Sequence, residues 1–179
     1  MIGKRSSFLG SIPTITKHLL IINVLMWFAT IVLAQKGIYL EQYLALHYWG
    51  ASDFNLAQLI TYMFMHDTSG LGHLFFNMFS LWMFGRILEQ VLGGARYLFY
   101  YVTCGIGAAL VQEFVWMATW QDLFSQMIAT SNSISIAEAT EAISYALAHG
   151  QDIPALNSML TVGASGAVFG ILLAFGMLF

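Results

Sequence analysis

The chain has 179 residues, 59% of them hydrophobic and only 8% charged, with a mean hydropathy of +0.74, against roughly 25% charged in a soluble domain. A formal net charge of −3 and an isoelectric point near 5.9 leave no basic footprint for nucleic acid. The single cysteine, Cys104, lies in an apolar run, which excludes a disulfide framework and a metal site of cysteine spacing.

This composition predicts an all-α, polytopic membrane protein. A helix needs about 20 apolar residues to cross ~30 Å of hydrocarbon. Four runs suit it, at about 19–35, 71–92, 97–120 and 158–179. Their length favours helices over strands. The first, "LLIINVLMWFATIVLA", is short enough that a cleaved signal peptide is an alternative, with Val32 and Ala34 as the small residues before a cleavage site. The three later runs argue against that. Residues 37–70, between the first two runs, are rich in Tyr, Trp and Phe, as interfacial segments are. His47 and His66 there read as interfacial residues rather than ligands. Residues 121–157 are long for a link between adjacent helices. Within them "ISIAEATEAISYALAHG" predicts a short surface helix, with Ile136, Ala139, Ile143 and Leu147 along one side and Gly150 as terminator. The segment reads as a solvated insertion; the other possibility is that it shapes entry to a site beside it. His149 is too loosely placed to act as a base.

Positive charge sets the orientation, because Lys and Arg gather at the cytoplasmic ends of spans. Lys4, Arg5 and Lys17 precede the first run, and Arg86 and Arg96 bracket the turn between the second and third. Only Lys36 falls on the other side, and 121–157 carries Asp122, Glu138, Glu141 and Asp152 with no Lys or Arg. The amino terminus is expected to be cytoplasmic.

With that topology the second and fourth runs both descend from the outer face. The second begins "GHLFFN", placing His73 and Asn77 four apart on one helix face. Ser165, in "TVGASGAVFG", is expected about two turns below a helix start at Ser158. Polar side chains at such depth are functional candidates by default. The alternative is that His73 and Asn77 are structural glue between helices. Gly166, Gly170 and Ala174 recur every fourth residue, a stripe that admits a neighbouring helix closely. A group on that neighbour reaches a serine at the distance nucleophile activation needs, although the same stripe suits plain packing.

These residues carry a resemblance. "GASG" at 163–166, followed by Phe169 and Gly170, resembles the GxSG serine motif of the rhomboid family of intramembrane serine proteases. "HLFFN" at 73–77 is similar to that family's HxxxN motif on its second transmembrane helix. Glu89 and Gly93, in "EQVLGG", fall where the family carries a Glu and a Gly. The resemblance implies a rhomboid-like bundle with four of the usual six transmembrane helices. It also implies an endopeptidase that cleaves the helices of single-span membrane proteins near the outer face, without cofactor or metal. Its partners are then transmembrane substrates and the lipid bilayer, and a bacterial inner membrane is its setting. Ser165 is implied as nucleophile, with its own backbone amide, His73 and Asn77 stabilising the oxyanion. Gly163 and Gly166 keep the backbone open, and Phe169 matches an aromatic ring that packs on the catalytic histidine. From composition alone Phe169 is simply lipid-facing or core. The segment before "TYMFMH" departs from the family in lacking a Trp-Arg pair; Asn55 to Gln58 stand there instead.

The family's dyad needs a histidine on the sixth helix, expected beyond Phe179. Of the five histidines here, His18 is on the wrong side, His73 belongs to the oxyanion group, and His47, His66 and His149 lie in loops. The general base is therefore unassigned, and the chain as written is expected to be inactive, its apolar ending "LLAFGMLF" reading as an interruption. The reading from another class is a non-catalytic rhomboid-like protein that binds transmembrane helices and keeps the serine motif as a relic. A transporter fits less well, because Arg86, Glu89 and Glu113 sit near span ends rather than at a midplane site.

Overall fold

The computed structural model describes residues 12–151 and 153–179. Lys4 and Arg5 of the charge argument, and Asp152, lie outside the described residues. The elements in order are α1 (Thr14–Ala34), α2 (Glu41–Leu44), β1 (Leu46–His47), α3 (Gln58–Thr61), α4 (Leu71–Ser80), α5 (Arg86–Leu92), α6 (Gly94–Asn132), α7 (Ile136–Ala148), β2 (Leu160–Thr161) and α8 (Ser165–Leu178). A π-helical turn, Leu81–Gly85, joins α4 to α5, and β1 and β2 form a two-stranded ladder. The described residues divide into two compact units, one of residues 12–46, 56–109 and 161–179, the other of 47–55, 110–151 and 153–160.

In the first unit, large apolar side chains are exposed on the outside, and polar groups such as Thr16, Asn23, Asn77 and Glu89 are buried among apolar ones. On α1 the buried residues are Thr16, Leu19, Asn23 and Thr30, while Leu25 and Phe28 are 61% and 55% exposed. Such inverted polarity suits a helix whose solvent is lipid. Asn23 Nδ2–H donates to the Leu19 carbonyl at 2.7 Å, leaving its buried Oδ1 without a partner, and Thr30 Oγ1–H donates to that of Met26 at 2.9 Å. α1 starts at Thr14, not near Leu19, because Pro13 stands at its cap and Glu89 supplies acceptors for its first turn. The Glu89 carboxylate accepts from the backbone N–H groups of Ile15 and Thr16 at 2.9 and 2.7 Å and from Thr16 Oγ1–H at 2.7 Å. A helix start leaves such amides without intrahelical partners, and an anion there also answers the helix dipole. Gly93, at φ +79°, turns the chain from α5 into α6. The π turn brings Gly85 against Tyr97, whose hydroxyl lies 2.5 Å from where a Cβ on Gly85 would be.

α6 and α8 meet along small residues. A Cβ on Gly170 would fall 2.5 Å from Sγ of Cys104, and one on Gly166 would meet Ala108. Tyr100 Oη–H donates to the Gly170 carbonyl at 2.7 Å.

α8 begins at Ser165, and the stretch after Ser158 is extended or turned rather than helical. The expectation of a helix from Ser158 with Ser165 two turns inside is thus corrected. Gly163, at φ +125°, occupies the left-handed side of backbone space, which a helix cannot pass through.

The second unit has its own core of Tyr48, Trp120, Phe124, Ile143 and Leu156. α6 runs on to Asn132, well past the Trp120 at which the third apolar run ends, because Gln121, Asp122 and Ser125 end the hydropathy without breaking the helix. α7 opens with a reciprocal capping box between Ser135 and Glu138. It buries Ala139 and Ile143 but leaves Ile136 and Leu147 56% and 42% exposed, so the apolar side read from spacing is narrower than expected. The segment is otherwise largely exposed. Within this unit the Trp49 N–H donates to Oε2 of the buried Glu113 at 2.8 Å, and the Tyr48 N–H to the Met159 carbonyl at 3.0 Å.

Candidate active site

His73 stands in the first turn of α4 and Asn77 one turn further, where its amide Nδ2–H donates to the His73 carbonyl at 2.9 Å. The His73 ring is oriented by the turn before the helix. Nδ1 accepts a hydrogen bond from the Asp67 backbone N–H at 3.3 Å. A neutral imidazole that accepts at one nitrogen carries its proton on the other. Nε2 is therefore a donor.

The 67–69 turn is itself tied down. The Asp67 carboxylate accepts from Ser69 N–H at 2.8 Å and Ser69 Oγ–H at 2.7 Å, and these bonds hold its carboxyl below the usual carboxylate range. The Asp67 carbonyl accepts from Trp27 Nε1–H at 3.2 Å. His66 is buried within the protein, with its ring centroid 5.2 Å from that of His73. His47 is also buried. Burial, with the neighbouring His73 second, pushes His66 down to about 4.

The serine loop meets His73 directly. The Gly163 N–H donates to the Tyr62 carbonyl at 2.9 Å, which fixes the loop to the segment before α4. A Cβ on Gly163 would lie 2.8 Å from Nε2 of His73 and 3.7 Å from Oγ of Ser165, so the two side chains flank one point. Tyr62, whose burial pushes its phenol up to about 12, donates from Oη to the Gly105 carbonyl at 2.7 Å and contacts the space over Gly166. As the first residue of α8, Ser165 also presents first-turn amides that lack intrahelical partners. The first helical bond of this turn is Val168 N–H to the Ala164 carbonyl, at 2.9 Å.

Between α4 and α8 lies an open cavity of about 330 Å³, lined by His73, Asn77, Ser165, Val168 and Phe169 among others. Phe169, at the cavity edge, is 70% exposed. Ser165 Oγ makes no hydrogen bond among the described residues, and no three metal-ligating side chains cluster there. His18 is exposed on α1, and His149 Nδ1 is occupied by the Tyr145 carbonyl at 2.8 Å. Sequence reasoning missed Asp67, Tyr62 and Trp27, which act here through backbone groups or at long range and leave no motif.

Long apolar helices with large apolar side chains on their outer surfaces mark an integral membrane protein, here with a serine loop folded onto a histidine at the start of a neighbouring helix. The Rhomboid domain family model matches residues 53–179, and the chain belongs to the rhomboid family. A search of curated proteins finds no match.

Proposed function

We propose that the protein is an intramembrane serine endopeptidase, cleaving single-span membrane proteins near the outer face, with Ser165 as nucleophile. The observation that carries this reading is the packing of Gly163 on His73 Nε2 beside Ser165 Oγ. A carbonyl attacked by Ser165 places its developing oxyanion among three donors, the Ser165 amide, His73 Nε2–H and Asn77 Nδ2–H. Preorganised donors of this kind stabilise the transition state without reorganising, each worth roughly 100- to 1000-fold in rate. Nε2 of His73 holds its proton as a donor and so is not the base that activates the serine. No described residue is assigned as that base.

The orientation belongs to the same proposal. Lys17, Arg86 and Arg96 lie at the end where Glu89 caps α1, and that end is cytoplasmic by the positive-inside rule. The site, toward the opposite end of α4, then opens near the outer face. A bacterial inner membrane is the proposed setting.

The test is cleavage of a single-span reporter in proteoliposomes by the product of the natural gene. Cleavage near the outer end of the reporter span, abolished in Ser165→Ala, is expected. Reporter binding without any Ser165-dependent cleavage favours the second reading, a non-catalytic helix-binding protein. Its support is the absence of a hydrogen bond from Ser165 Oγ to any described histidine.

A further inference from the structure

We infer that Asp67 is a positioning residue for His73, its backbone amide fixing the imidazole as the tautomer that presents Nε2–H to the oxyanion. The inference rests on the proposed role of His73 as an oxyanion donor. Such a donor is useful only with the proton on Nε2; the other tautomer would turn a lone pair toward the developing negative charge. A histidine side chain by itself favours Nε2–H only modestly. The selection comes from the partner of Nδ1, which is the Asp67 N–H at 3.3 Å. With the proton on Nδ1, two N–H groups would face each other at that distance.

The amide is held in place by three independent bonds made by the same residue or its turn. Both oxygens of the Asp67 carboxylate are engaged by Ser69, closing the turn. The Asp67 carbonyl is held by the Trp27 indole on α1. The carboxylate thus acts on its own backbone rather than on His73. The buried His66 ring, 5.2 Å from His73 and with neither ring nitrogen hydrogen-bonded, closes one side of the imidazole without competing for its nitrogens.

The test reads the tautomer by the side-chain ¹⁵N shifts of His73, with histidine-labelled protein in detergent at alkaline pH and His73→Ala to assign the signals. The wild type is expected to carry its proton on Nε2. Asp67→Pro, which deletes the amide donor, is expected to give a mixture of tautomers, and Asp67→Asn, which keeps the turn, the wild-type signal. Asp67→Gly keeps the amide but frees the turn; it is expected to broaden or split the signal, and serves if the proline variant does not fold. A wild-type proton on Nδ1, or one sharp Nε2–H signal in whichever of the Pro and Gly variants fold, overturns the inference. In the reporter assay, Asp67→Pro is expected to lower kcat about 100-fold with little change in KM, as for the loss of one oxyanion donor. If His73→Ala leaves cleavage intact, the oxyanion reading fails by itself. If His73→Ala abolishes cleavage while the tautomer ignores Asp67, only this inference fails.

Discussion

The position a Cβ on Gly163 would take is 2.8 Å from Nε2 of His73, so residue 163 has room for a hydrogen and nothing larger. Its φ of +125° adds a second constraint, since L side chains avoid that region. Gly163→Ala is expected to push the imidazole off the serine and to cut Ser165-dependent cleavage by about 100-fold or more, on the scale of one lost oxyanion donor. Reporter cleavage against an unchanged helical circular dichroism spectrum is the check.

Glu89 fastens α1 to the end of α5 with three hydrogen bonds to a nearly buried carboxylate. Removing it leaves the Ile15 and Thr16 amides without their acceptor. Glu89→Ala is expected to cost roughly 2–4 kcal/mol of stability, and Glu89→Gln, which retains one carbonyl oxygen, about half as much. Unfolding in mixed micelles separates the two.

Gly170 and Cys104 are coupled by contact. Gly170→Ala places a methyl 2.5 Å from the thiol sulfur, an overpacking expected to cost about 1–3 kcal/mol. Cys104→Ala removes the sulfur but keeps the Cβ, 2.7 Å from the added methyl, so the double variant is expected to recover part of the loss, at least about 0.5 kcal/mol relative to the sum of the single changes. A double-mutant cycle on unfolding reads the coupling directly.

His66 links stability to pH. Its folded pKa is depressed to about 4 from an ordinary value near 6.5, so between those values the unfolded chain binds the proton and the folded chain does not. This contribution is present above about pH 6.5 and is lost as the pH falls toward 4. His66→Leu is expected to flatten that part of the profile, as measured by thermal unfolding across the same window.

Expressed as residues 1–179 alone, the chain is expected to turn over no reporter, because an unassisted serine is a weak nucleophile. Turnover that disappears in Ser165→Ala would instead make His73 or His66 the base and remove His73 from the oxyanion group.

Much of the site was legible because its parts are short in sequence. His73 and Asn77 are one helical turn apart, and Ser165 sits among glycines, so local spacing carries the arrangement. The start of α8 was not legible. Met159, Leu160, Val162 and Ala164 are as apolar as the helix that follows, and only the backbone of Gly163 marks the break. The reach of α6 was hidden in the opposite way, by polar residues that continue a helix beyond its apolar run. The burial of His66 depends on a packing neighbour seven positions on, and the Asp67 amide has no sequence signature at all. Backbone donors look the same in every residue but proline.

The polar lining of α1 bears on how the protein is made. The Asn23 amide N–H and the Thr30 hydroxyl donate to carbonyls of their own helix, so these donors need no partner from another span. Ile15 and Thr16 differ, for their acceptor arrives only with Glu89, after the next span has been synthesised. The first turn of α1 thus gains its acceptors only when the second helix has folded back against it.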